Sequence, residues 1–99
     1  MKYVIAWETR ASTSEEQQAR GLAVFGGWSP SEGADFQQFV GRIDGRGGFA
    51  VVETDDPALV AQDMATFAPF FEFSVYPVLE IQQTASLGME AVQFRNSIG

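Results

Sequence analysis

Two residue types are missing from this chain of 99 residues: cysteine and histidine. Without cysteine there is no disulfide framework, zinc–thiolate site, iron–sulfur cluster or thiol nucleophile. Without histidine the usual general base at neutral pH, the commonest metal ligand and the usual proximal haem ligand are gone. Serine–histidine catalysis is excluded with them. No cofactor and no metal site are therefore expected. Basic residues are scarce, six Lys and Arg against 13 Asp and Glu, for a net charge of −7. Phosphate binding needs a basic patch, so nucleic acid is not an expected partner, and neither is an anionic membrane surface. No segment approaches the roughly 20 apolar residues of a membrane span. Val4-Ile5-Ala6-Trp7, followed by Glu8, is too short for the apolar core of a signal peptide. A cytoplasmic protein is expected.

What is present is apolar and aromatic. A chain of this length makes one domain and buries only about 60–65% of its unfolded surface. Yet 45% of its residues are hydrophobic, with nine Phe, two Trp and two Tyr. One small core does not readily hide so many large side chains. Either several of them sit half exposed, or a second buried surface exists, a dimer interface or a ligand cavity.

Along the chain, Lys2 to Glu8 alternates Tyr3, Ile5 and Trp7 with Val4 and Ala6. Both faces are apolar, which suits a central strand. Thr13 and Glu16 fit a capping box opening a helix. Its inward stripe is Ala19, Leu22, Ala23 and Gly26, and Gly26-Gly27 ends it. A loop from Trp28 to Gly33 leads to a second strand, Phe36 to Ile43. The turn Asp44-Gly45-Arg46-Gly47-Gly48 sends it back as Phe49 to Thr54. Asp56 before Pro57 is an N-cap with proline at N1. The buried face of that helix is Val60, Ala61, Met64, Ala65, Phe67 and Ala68, and Pro69 limits its length. Phe71 to Ile81 forms a fourth strand, in which Pro77 favours an edge position or a bulge. From Thr84 a final helix aligns Leu87, Ala91, Phe94 and Ile98, an amphipathic tail expected to be docked.

The order β-α-β-β-α-β plus a tail helix predicts an α+β, ferredoxin-like fold with a four-stranded antiparallel sheet. The core spans residues 1–81 and the helical tail 84–98, a single domain 1–99. Two helices cover one sheet face, and the other, also apolar, is left bare. Sheet-to-sheet pairing into a homodimer is the expected solution.

Met1-Lys2-Tyr3-Val4-Ile5-Ala6-Trp7, Glu32-Gly33, Gly41-Arg42, Gly47-Gly48-Phe49-Ala50, Val52-Glu53-Thr54-Asp55-Asp56 and Pro77-Val78-Leu79 occur in one order and spacing. Together they resemble a small bacterial family catalogued as domain of unknown function 3303, over roughly Met1 to Ile81. The resemblance implies membership of the dimeric α/β barrel superfamily, whose protomers pair sheet to sheet. That superfamily includes cofactor-free monooxygenases, haem enzymes, small isomerases and non-catalytic ligand-binding proteins. Many relatives carry an aromatic residue and a histidine after the Gly-Arg; this chain has Ile43 and Asp44, so any role of that histidine is absent or replaced.

The candidate ligand-binding residues are Tyr3, Trp7, Trp28, Arg42, Glu53 and Phe73. Trp7 shares a strand face with Tyr3 and either lines a cavity, stacking on a flat ligand, or packs as core. Trp28 is a cavity lid or a loop anchor. Phe73 belongs with Phe67, Phe70 and Phe71 to a cluster where helix meets strand. Arg42 either holds a ligand carboxylate or makes an ordinary salt bridge. Glu53 is a general base if buried, and otherwise a structural carboxylate at a strand end. A tight hairpin pairing Ile43 with Phe49 puts Arg42 and Glu53 on opposite faces, and a one-residue slip reverses that. Asp55-Asp56 is better read as turn and cap than as a metal pair.

Three functions fit these residues. A dimeric barrel that binds a small, mostly apolar or aromatic ligand without catalysis fits the apolar excess. A cofactor-independent monooxygenase or isomerase could run on positioned Trp, Tyr, Arg and carboxylates. A protein-interaction module would use the amphipathic tail. A carboxylate buried against the cavity would favour the enzyme over the binder.

Overall fold

A computed structural model describes residues 1–99. The elements run β1 (Lys2–Thr9), α1 (Glu15–Gly27), β2 (Asp35–Gly41), β3 (Gly47–Glu53), α2 (Pro57–Phe67), β4 (Phe71–Val78) and α3 (Ile81–Ile98). The four strands form one antiparallel sheet in the order β2-β3-β1-β4, the ferredoxin-like arrangement. β1 and β3, apolar on both faces, take the centre. β4 takes an edge, where Pro77 leaves no ladder hydrogen bond unmade in the interior.

Alternation along the central strands builds the core. Ile5, Ala50 and Val52 project to one face and close over Val60 of α2, with Tyr3, Phe36, Met64 and Phe73 packed around them. The α2 start matches the sequence reading, since Asp56 Oδ1 accepts from the Ala58 N–H at 3.0 Å and Pro57 occupies the first turn. Two glycines let β3 pass β1 closely. A Cβ at Gly47 (φ +155°) would strike the Trp7 carbonyl, and one at Gly48 would enter the Trp7 ring and the Val40 carbonyl.

Several details differ from the sequence reading. The α1 capping box is Ser14 with Gln17, one residue later than expected, because Thr13 is taken up in a turn back to the Arg10 carbonyl. The side of α1 toward the sheet centres on Gly21 and not on Ala19, Ala23 and Gly26, which are exposed. The Phe70 ring occupies the space a side chain would need there, its Cγ 3.3 Å from where a Cβ would sit. On α2, Val60, Met64 and Phe67 face inward as expected, but Ala61, Ala65 and Ala68 are exposed and Asp63 is buried.

β2 ends at Gly41, not Ile43, and β3 begins at Gly47, not Phe49. The Arg42 N–H closes the turn on the Gly47 carbonyl, with Gly45 at φ +72° inside it. Val40 therefore faces Phe49, and a bulge at Gln37 shifts the register again before Phe36 meets Val52. Arg42 and Glu53 consequently share a face, at opposite ends of the sheet.

β4 stops at Val78 and α3 starts at Ile81, where the Glu80 N–H donates to Gln83 Oε1 at 3.1 Å. α3 is not docked on its own body. None of its residues is buried. The principal extents are 61 × 30 × 21 Å and the radius of gyration is 17.8 Å, against about 13 Å for a compact chain of this length.

Candidate functional site

Between the sheet and its helices lies a cavity of about 380 Å³. Ile5, Trp7, Ala50 and Phe73 form the floor; α1 contributes Gln17, Gln18, Gly21, Leu22 and Phe25; Met64 and Phe67 close the α2 side. Among the lining residues, Leu22 and Phe25 of α1 are exposed and form part of its rim. The volume falls in the range of small-molecule sites, roughly 300–1,000 Å³.

Aromatic edges organise one wall. Trp7 meets Phe39 edge-to-face with centroids 5.5 Å apart, and Trp28 meets Phe67 at 5.2 Å and Phe36 at 5.8 Å. Such pairs fix ring orientation beyond what burial alone would do. Phe36 and Phe39 both reach this face because the bulge at Gln37 lies between them; regular alternation would have split them.

The loop that carries Trp28 is anchored by a buried carboxylate. Both Asp63 oxygens are engaged by Ser31, Oδ1 accepting from the hydroxyl at 2.7 Å and Oδ2 from the N–H at 3.2 Å. Asp63 is 3% exposed, so this bidentate contact ties the Trp28–Ala34 loop to α2. Gly33, at φ +94°, lets that loop turn beside Leu59.

No side chain that lines the cavity is titratable: its polar members are Thr9, Thr13, Gln17 and Gln18. Gln17 Oε1 is occupied by the Ser14 N–H, which leaves its amide NH₂ to donate. The chemistry on offer is aromatic stacking and neutral hydrogen bonding, without an acid, a base or a charge. Elsewhere, no three acidic side chains gather as a metal site requires.

Of the residues singled out from sequence, Trp7, Trp28 and Phe73 line this cavity. Tyr3 lies on the same face but packs against the core beneath it. Arg42 and Glu53 are on the opposite face. Arg42 Nη1 contacts Glu8 Oε1 at 3.2 Å and its other nitrogen binds Asp44. Those two acceptors, Asp44 first, raise the guanidinium pKa. The Arg46 N–H and Arg42 together hold the Asp44 carboxyl below its ordinary range. Glu53 pairs with the N-terminal ammonium at 3.0 Å. A smaller hollow of about 160 Å³ beside Arg42 is lined by Glu8, Phe49 and Glu72, so its one cation is already matched by acids.

Sequence reasoning missed Asp63 with Ser31, the polar lining at Thr9, Thr13, Gln17 and Gln18, and Phe25, while Leu22 lay on the inward stripe expected for α1. Thirty-two positions separate the Asp63–Ser31 pair, and no local pattern links them. The doublet Gln37-Gln38 between two phenylalanines was the available signal for a bulge.

The family model described as a domain of unknown function (DUF3303) matches residues 1–92. The chain belongs to this family. The match runs past the body into α3, further than the motifs quoted from the sequence, and the ferredoxin-like fold is consistent with the dimeric α/β barrel superfamily. No curated protein matches this DUF3303 chain.

Proposed function

We propose that this DUF3303 protein is a homodimeric barrel that binds a small, neutral, largely aromatic molecule between sheet and helices, without transforming it. The observation that carries this reading is the cavity of about 380 Å³ in which no lining side chain ionises. A cofactor-independent enzyme would need a base, a cation or a carboxylate at the reacting centre, and the charged candidates Arg42 and Glu53 lie on the other face. Dimerisation fits the second face of the sheet, where Val40, Phe49 and Tyr76 are exposed around the half-buried Val4, Ala6 and Val51. Burying that patch against its own copy removes apolar surface from water.

The reading is tested with 1-naphthol and 1-naphthoate, followed by quenching of Trp7 and Trp28 fluorescence. A neutral cavity holds the phenol and rejects the carboxylate, because an unpaired buried charge is costly. Naphthol is expected to bind at least about tenfold more tightly, and Trp7→Ala should weaken it while leaving the fold intact. Equal affinity for the two probes, or binding unaffected by Trp7→Ala, would place the ligand elsewhere.

A further inference from the structure

Helix α3 has no partner on its own protomer. Leu87, Ala91, Phe94 and Ile98 follow the i, i+4, i+7, i+11 spacing of a single stripe, with Phe94 66% and Ile98 71% exposed. A lone helix of 18 residues with Gly88 in its middle is marginal in water, so packing must supply its stability. The only side-chain hydrogen bond joining it to the body is Lys2 Nζ to Glu80 Oε1, at 2.7 Å. α3 departs from the Lys2–Val78 end of the sheet. Thr9, Gly45 and Phe71, at the opposite end, line the cavity. With a length of about 27 Å, α3 accounts for the 61 Å long axis and leads away from its own cavity.

We infer that α3 is an exchanged arm: it docks on a second copy of this chain, laying its apolar stripe over the exposed rim at Leu22 and Phe25, so that each protomer closes the other's cavity. The inference rests on the cavity reading above for what the arm closes.

Surface area fits a second copy as the occupant. The protomer exposes 7080 Å², about 1,500 Å² more than a compact monomer of this mass. Obligate dimers bury roughly 1,000–2,500 Å² per partner, and the excess falls within that range. Charge permits the contact. Residues 81–99 carry only Glu90 and Arg95 and are neutral, whereas the whole chain is at −7, so the arm meets an acidic body without net repulsion. The family match extends through most of the arm, to residue 92, which makes α3 part of the domain.

The test uses the full chain without added ligand: light-scattering mass and amide hydrogen exchange on the wild type, on Leu87→Glu/Phe94→Glu, and on Leu22→Glu. The wild type is expected at twice 10.8 kDa. Its α3 amides should be protected about 100-fold and lose that protection on dilution. Both variants should weaken the dimer at least about tenfold while the sheet circular dichroism is unchanged. A monomeric wild type, or α3 amides unprotected within a dimer, would overturn the arm and direct α3 to a different protein. A dimer insensitive to the α3 changes would do the same. Sensitivity to the α3 changes without sensitivity at Leu22 would overturn the landing on the rim. Naphthol binding does not enter these readouts, so a failed ligand reading and a failed arm are told apart.

Discussion

On the helix-covered face of the sheet Ile5, Ala50 and Val52 are sealed from solvent, whereas their chain neighbours on the other face, Val4, Phe49 and Val51, stay partly or largely open. The same strands supply both faces, and both are apolar. The difference lies in what covers them. The sealed face has α2 close upon it and α1 held off by a cavity. The open face has only charges at its ends, Arg42 with Glu8 and Asp44 at one and Glu53 with the N-terminus at the other. One face therefore stabilises the protomer and frames a site, and the other is available for association.

That contrast can be broken at matched positions. Ile5→Ala empties a sealed position and should cost about 2–5 kcal/mol in chemical denaturation. Val4→Ala, its neighbour on the open face, should cost less than about 1 kcal/mol in the separated protomer. Equal losses would mean the two faces are equally buried. Asp63→Ala leaves the Ser31 N–H and hydroxyl without their buried acceptor and should cost about 1–3 kcal/mol, with altered Trp28 fluorescence as the loop loosens. Val51→Glu should leave protomer stability within about 0.5 kcal/mol but halve the light-scattering mass, and an unchanged dimer would remove the open face from the interface.

The smallest effect is electrostatic. Hydrogen bonding to Lys2, with its charge, lowers the Glu80 pKa below the ordinary value of a glutamate. The same contact raises that of Lys2 above 10.5. The Glu80 contribution is complete above its unfolded pKa and is lost as pH falls through the lower folded value. The Lys2 contribution is complete below 10.5 and is lost as pH rises through the higher one. Amide exchange at the first turn of α3 should be slowest between these limits, and Glu80→Gln should flatten the profile. The pair is surface exposed, so the effect is small and screened by salt.

Strand order, the capped start of α2, the edge position of β4 and the two-sided apolar character of β1 were legible because each depends on local pattern. The positions of Arg42 and Glu53 were not. The turn closes on Arg42–Gly47 and a bulge at Gln37 shifts the register a second time, and side-chain facing changes with every one-residue slip. Asp63 reads as a polar surface residue until Ser31, far away in sequence, is brought beside it. The periodicity of α3 showed that the helix has an apolar stripe. Periodicity says nothing about which molecule covers that stripe, and no residue of α3 is buried on its own protomer. Of the site, the aromatic lining at Trp7, Trp28 and Phe73 could be anticipated; its neutrality could not, because that follows from where the charges go.

The most direct test of the central claim, a neutral cavity that holds a ligand, is native mass spectrometry of the full chain titrated with 1-naphthol. The account predicts a dimer that takes up to one naphthol per protomer and a Trp7→Ala dimer that takes none at the same concentrations. A protein that acquires no adduct, or a Trp7→Ala variant that acquires as many as the wild type, would contradict it.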